Sequence, residues 1–216
     1  HFNQYQAECV RFLFCMIALA KGIVQAEFYQ LHDALEMQLV AREPDVIDPV
    51  ALAFDKACRL YVVEMRDYPI GLRLASSKAG GTVKLLTDTD GDSRYDQVTL
   101  FADNLSYPTS VVPWKGGILV AAPPNIIYLK DNDNDGKSDE RKTLITGFRR
   151  GVTDSNFNGL RWGLDNWIHG ANGGNGGRIR FTNQKVSPLP LRNLDFRFIP
   201  DGQRLETTSQ TGGGFG

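Results

Sequence analysis

Histidine and cysteine are scarce in this chain, three of each in 216 residues, and each scarcity closes off a class of chemistry. No C-x-x-C-H string is present, so the chain attaches no c-type haem of its own. Net charge is scarce as well: 24 Lys and Arg against 25 Asp and Glu leave −1, with a pI near 6.3. That balance gives no basic field with which to wrap nucleic acid, and nucleic-acid binding is set aside. Helical periodicity is absent beyond residue 41. The one compact apolar run, Phe12 to Ala20, is too short to span a bilayer.

That run has Arg11 before it and Val24-Gln25-Ala26 after it, a small-x-small cleavage pattern ahead of Glu27. Residues 1–26 therefore read as the remainder of a secretory signal, a short N-terminal helix, with an N-terminal core or amphipathic helix as the alternative. Export to the periplasm or cell surface follows from the first reading. Cys9 and Cys15 would leave with the signal, so that Cys58 is expected as a lone thiol, and His32 and His169 as the remaining histidines.

What the chain has in abundance is glycine, 22 residues, and aspartate in two matched strings. Asp88-Thr89-Asp90-Gly91-Asp92-Ser93-Arg94-Tyr95-Asp96 and Asp131-Asn132-Asp133-Asn134-Asp135-Gly136-Lys137-Ser138-Asp139 both read D-x-D-x-D-x-x-x-D. Carboxylates at alternate positions of a tight loop converge on one point, which is unfavourable unless a hard cation accepts their oxygens. Calcium is the candidate. The predicted ligands are Asp88, Asp90, Asp92, the carbonyl of Arg94 and Asp96 in the first loop. In the second they are Asp131, Asp133, Asp135, the carbonyl of Lys137 and Asp139. An EF-hand would need Glu at position 12, where Thr99 and Lys142 stand. The pattern resembles instead the D-x-D-x-D-G-x-x-D loops of integrin α-subunit propellers, except that Ser93 replaces the turn glycine in the first copy. A solvated acidic turn is the alternative.

The two strings begin 43 residues apart, the repeat length of a propeller blade built from short strands. A hairpin is predicted from Val50–Phe54 and Leu60–Glu64, again from Ser110–Trp114 and Ile118–Ala122, and again from Gly159–Gly163 and Trp167–Gly170. Third and fourth strands are predicted at 82–86 and 98–102, then at 125–130 and 142–146, with the acidic loops between them. Arg178–Phe181 and Asp195–Ile199 alternate charged and apolar residues, as edge or outer strands do. The expected fold is all-β: a partial β-propeller of roughly three four-stranded blades at 49–216, preceded by a lead-in at 27–48. Closed propellers have roughly four to eight blades, so a fragment of a longer parent is expected.

Glu43-Pro44 with Asp48-Pro49-Val50-Ala51, Tyr61-Val62-Val63-Glu64-Met65-Arg66-Asp67-Tyr68-Pro69, Asp88-Thr89-Asp90-Gly91-Asp92, and Asn158-Gly159-Leu160-Arg161-Trp162-Gly163-Leu164-Asp165-Asn166 together carry a family likeness. Over roughly 36–216 the chain resembles the membrane-bound dehydrogenase N-terminal domains of planctomycetes and verrucomicrobia. These are similar to the soluble glucose and sorbosone dehydrogenases, propellers that hold pyrroloquinoline quinone beside calcium. The resemblance implies hydride transfer from a sugar or alcohol to the quinone, with electrons passing to a haem c domain further along the parent chain. In those dehydrogenases the base histidine precedes the third hairpin. Ser155-Asn156-Phe157-Asn158 occupies that stretch here and offers no general base. Arg149, Arg150 and Arg161 are candidate partners of quinone carboxylates, and Trp114, Trp162 and Trp167 a candidate sugar platform, although surface placement and core packing are their commoner roles. The alternative function is a non-catalytic propeller that binds carbohydrate or protein, with structural calcium.

Overall fold

A computed structural model describes residues 32–35, 37–68, 79–202 and 204–210. The segment 1–26 expected as a signal helix and the Gly212–Gly216 tail lie outside them. The described chain is all-β, with three antiparallel sheets and no α-helix. Among the described residues no helix is long and apolar enough to cross a membrane.

The first sheet contains β1 (Pro49–Phe54), β2 (Leu60–Glu64), β3 (Gly81–Thr87) and β4 (Gln97–Leu105), paired in chain order. The second begins the same way with β5 (Ser110–Trp114), β6 (Gly117–Ala122), β7 (Asn125–Lys130) and β8 (Glu140–Phe148). After a 3-10 turn at Thr153–Ser155, β9 (Asn158–Trp162) and β10 (Ile168–Ala171) form the third predicted hairpin. β11 (Gly177–Phe181) and β12 (Leu189–Pro190) leave that sheet and extend the second one to six strands, outside β8. β13 (Leu194–Ile199) and β14 (Arg204–Gln210) then complete the third sheet in the order β14-β13-β10-β9.

Three expectations are corrected. The second sheet has six strands rather than four. Its extension depends on Gly147 at φ +103 and Gly177 at φ +149, because a Cβ on Gly147 would collide with the Arg178 carbonyl and one on Gly177 with the Gly147 carbonyl. Only glycine lets β8 and β11 approach so closely. The second correction concerns residues 194–199, an interior strand bonded on one side to β10 and on the other to β14. Its alternation separates buried Phe196 and Phe198 from Asp195 and Arg197 on the opposite face. Cys58, expected as a lone thiol, is disulfide-bonded, and its partner lies outside the described residues.

Burial follows the two-residue period of the strands. Val111, Val120, Ile127 and Leu129 of the second sheet pack toward Tyr61, Val63, Val83, Leu85 and Phe101 of the first. Val112, Leu119, Ala121 and Ile126 on its other face pack toward Leu160, Ile168, Phe196 and Phe198 of the third. A middle sheet covered on both faces explains why every residue of β6 is buried. Phe148 and Phe157 stack at 3.6 Å between ring centres, and both touch Phe196. The first strand of each sheet packs on the next: β1 on β5, and β5 on β9.

Candidate metal centres

Both aspartate strings connect a third strand to a fourth, β3 to β4 and β7 to β8, and the same short-range hydrogen bonds shape both. The carboxylate at position 1 accepts two backbone N–H groups: Asp88 from Gly91 (2.7 Å) and Ser93 (2.8 Å), Asp131 from Asn134 (2.6 Å) and Gly136 (2.9 Å). At position 3, Asp90 and Asp133 each accept the N–H two residues on at 3.1 Å. Position 9 reaches back to position 2, Asp96 to the Thr89 N–H and hydroxyl, Asp139 to the Asn132 N–H at 2.7 Å. Positions 4 and 6 take positive φ in both loops: Gly91 (82°) and Ser93 (69°), Asn134 (65°) and Gly136 (83°). Ser93 thus makes the bend where the second loop has glycine, at the steric cost of a Cβ in the left-handed region.

These bonds gather Asp88, Asp90 and Asp96 into one group and Asp131, Asp133 and Asp139 into another, each with one oxygen per residue within 4.8 Å of the others. Three hard oxygen donors converging on a turn are the chemistry that suits calcium, so these residues fit the ion. Asp92 and Asp135 stand at the rim, outside the groups. Each accepts an N–H two residues on at 2.8 Å and lies 4.0 Å from Arg94 Nε or 3.9 Å from Lys137 Nζ. The Arg94 and Lys137 side chains project into solvent.

The loops differ in their surroundings. Asp131 is 8% exposed, and its loop lies along β4 of the first sheet. The Ser138 N–H donates to the Phe101 carbonyl at 2.8 Å, and Gly136 faces Thr99 so closely that a Cβ would stand 3.3 Å away. Next to it, the Arg141 guanidinium donates to the Asp103 and Asn104 carbonyls at 2.8 and 2.9 Å. Asp131 also contributes to the charge field at Arg59: burial disfavours that cation, but the Asp55 hydrogen bond and the charges of Tyr61, Asp55 and Asp131 outweigh it and raise its pKa. The first loop's tie is to its own sheet, from the Tyr95 hydroxyl to the Cys58 carbonyl at 3.0 Å. No feature of the aspartate pattern signals this difference, because the second loop docks through backbone groups.

Two buried acids that sequence reasoning passed over are anchors. Glu64, fully buried, accepts the Ile47 N–H at 2.8 Å and the Thr82 hydroxyl and pairs with Arg66 at 2.8 Å. Asp67 accepts the Tyr107 N–H at 2.9 Å. The Glu64-Met65-Arg66-Asp67 string thereby ties the lead-in and the connection between β4 and β5 to the first sheet.

The residues considered for a quinone are dispersed. Arg149, Arg150 and Arg161 are exposed. His169 places Nε2 3.1 Å from both Asp165 oxygens, on the polar face where Asp165 also meets Arg197. Trp114 packs edge-on to Tyr128, Trp162 donates Nε1–H to the Pro113 carbonyl, and Trp167 lies beneath the Arg197 and Arg204 guanidiniums, so the three make no common platform. A tricarboxylate quinone needs converging cations free to meet it; Arg197 and Arg204 converge on Trp167 but are already paired with Asp165 and Glu206.

No curated protein matches the chain. A family model described as "Domain of unknown function (DUF7133)" matches residues 25–216, nearly the whole sequence, and the chain therefore belongs to the DUF7133 family.

Proposed function

We propose that the three sheets are successive blades of a partial β-propeller, that the two acidic loops bind calcium, and that the assembly is an exported, calcium-stabilised binding module for carbohydrate or protein. The side-by-side packing of β1, β5 and β9, with each sheet covering the next, supports the radial arrangement. The observation that carries the calcium reading is the duplicate framework: two loops 43 residues apart turn the same three carboxylates inward through the same backbone bonds. Bound calcium would neutralise them and complete its shell with further oxygens. Titrating the metal-stripped full chain with calcium, by calorimetry and by melting temperature, tests this. Heat of binding and a rise in melting temperature are expected; a chain indifferent to calcium and to chelator refutes it.

The second reading, quinone-dependent oxidation of a sugar or alcohol, draws on the four strings that resemble the dehydrogenase domains. It requires a general base and a cationic pocket for the quinone carboxylates, which Ser155-Asn156-Phe157-Asn158 and the exposed Arg149, Arg150 and Arg161 do not offer. Adding calcium and pyrroloquinoline quinone and following dye reduction with sugars and alcohols decides it: turnover establishes the enzyme, and absence of quinone binding leaves the module.

A further inference from the structure

Pro188 and Pro190 have no backbone N–H to offer a ladder, and β12, which contains the second of them, is only the two residues Leu189–Pro190. β12 therefore pairs with Arg178 and Ile179 and stops, so that among the described residues the β11 edge is open at Arg180 and Phe181. The chain from Thr182 to Ser187 swings across to the third sheet, where the Gln184 side chain donates to the Gly202 carbonyl in the turn between β13 and β14. Between β11 with this loop on one side and β14 on the other lies a cavity of about 320 Å³. Buried Ile179 and Phe181 form its floor, and half-buried Leu189 and Leu205 its walls. Val186 stands at its rim with 53% of its surface exposed.

Among the described residues, three charges line this cavity: Arg180, Arg204 and Glu206. Glu206 takes Arg204 on one oxygen and Arg197 on the other, and Arg197 goes on to Asp165, so this chain of ion pairs holds two charges of each sign. Arg180 makes no ion pair among the described residues, and its charge is the one left uncompensated. We infer that the cavity binds a small organic carboxylate with an apolar body, its anionic end on Arg180 and its hydrocarbon against Val186, Leu189 and Leu205. A guanidinium presents a planar fork of N–H donors that meets a carboxylate through two parallel bonds. A dianion such as a phosphate ester fits less well, because Glu206 on the facing wall repels a second negative charge and Arg204 is already paired with it. A neutral ligand would cover the Arg180 cation without giving it a partner. The volume is at the small end of the roughly 300–1,000 Å³ typical of ligand sites, which suits a single aromatic ring or a short alkyl chain. This site involves neither calcium nor a closed propeller, and it goes beyond the binding-module reading.

The test is saturation-transfer NMR and calorimetry on the full chain with benzoate and hexanoate. Benzyl alcohol and hexanol serve as neutral counterparts, acetate as a carboxylate without an apolar body, and phenyl phosphate as a dianion. Binding of benzoate or hexanoate is expected, with each comparator about tenfold weaker or more. Arg180→Gln, which removes the charge and keeps most of the stem, should weaken carboxylate binding by about the same factor. Arg178→Gln, two residues away on the same face of β11 and outside the cavity, should leave it unchanged. Both arginines are exposed, so melting curves should match wild type and show that folding is intact. Val186→Asp, which sets a like charge at the rim, should abolish binding. No carboxylate binding, equal affinity for the alcohols, preference for phenyl phosphate, or equal losses in Arg178→Gln and Arg180→Gln overturns the inference. Titrations in calcium and in chelator keep the two sites apart: carboxylate binding by a chain indifferent to calcium removes only the calcium reading, and calcium binding without carboxylate binding removes only this cavity assignment.

Discussion

Asp133→Asn separates a metal site from an acidic turn because it changes sign with calcium. Asn keeps an oxygen for the Asp135 N–H, so the loop geometry survives the substitution. It removes one of three negative charges whose oxygens lie within 4.8 Å, and with it two of the three repulsive pairs. Each pair costs about 1 kcal/mol at this range in a water-like dielectric, so the metal-free variant gains about 2 kcal/mol at low salt and about half that at physiological salt. For a chain of this size that is a rise of roughly 4–8 °C in melting temperature. With calcium at a hundredfold excess over its dissociation constant, an intact site contributes about 2.7 kcal/mol, and weakening it reverses the order. Differential scanning calorimetry of both proteins, in chelator and in excess calcium, gives the four values needed. Wild type melting above the variant in calcium and below it in chelator is the expected crossing. A variant that is more stable by the same amount in both conditions refutes the metal and leaves two solvated turns.

Gly136→Ala places a Cβ at φ +83 and against Thr99, and is expected to cost about 1–2 kcal/mol in chemical denaturation, whereas Ser93→Gly removes the corresponding strain from the first loop and stabilises by up to about 1 kcal/mol. Phe196→Ala empties the contact of Phe148, Phe157 and Phe198 and is expected to cost about 3–5 kcal/mol, with a cavity effect visible as a lower urea midpoint at unchanged slope. The Glu206 carboxyl is held below its ordinary value by Arg197 and Arg204; its folded-state pKa is depressed, so its contribution is present above the unfolded value and fades as pH falls through the folded one. Glu206→Gln should flatten the acid side of the stability profile below about pH 4.5 and leave neutral pH least changed in slope.

Local chemistry made most of this molecule readable. The three hairpins are signalled by apolar runs around tight turns, and the acidic loops by aspartates whose partners lie two to seven residues away. Non-local pairing was not readable. Arg178–Phe181 has the alternation of an outer strand, yet its attachment to β8 depends on two glycines 30 residues apart, each fitting against the backbone of the other strand. The alternation of Asp195–Ile199 does not say whether the polar face meets solvent beside an edge or across an interior strand, and the β14 pairing that settles it comes later in the chain. Residues 155–158 contain no general base. Asn156 is instead buried and bonded to Asn175, a placement that only the tertiary structure supplies.

Strand direction separates the acidic loops from the cavity at the β1 end of the first sheet. In the first sheet Pro49 of β1 pairs with Glu64 of β2, which pairs with Thr82 of β3, so the cavity lined by Val50 and Met65 is at the end where β1 and β3 begin. The acidic loops leave from the ends of β3 and β7, the opposite end of the same strands. Cations held by these loops cannot touch a ligand in that cavity, which distinguishes them from the calcium beside the quinone that the resemblance implies. Their influence on the cavity has to pass through the stability of the sheets. The second loop has the shorter route, since its backbone is bonded to Phe101 and its neighbour Arg141 to Asp103 and Asn104, just ahead of the Leu105–Thr109 segment that carries the chain to the cavity wall. A metal there would fix the seam between the first and second sheets, and that seam positions Thr109, just ahead of β5, opposite Met65 and Tyr68, just past β2.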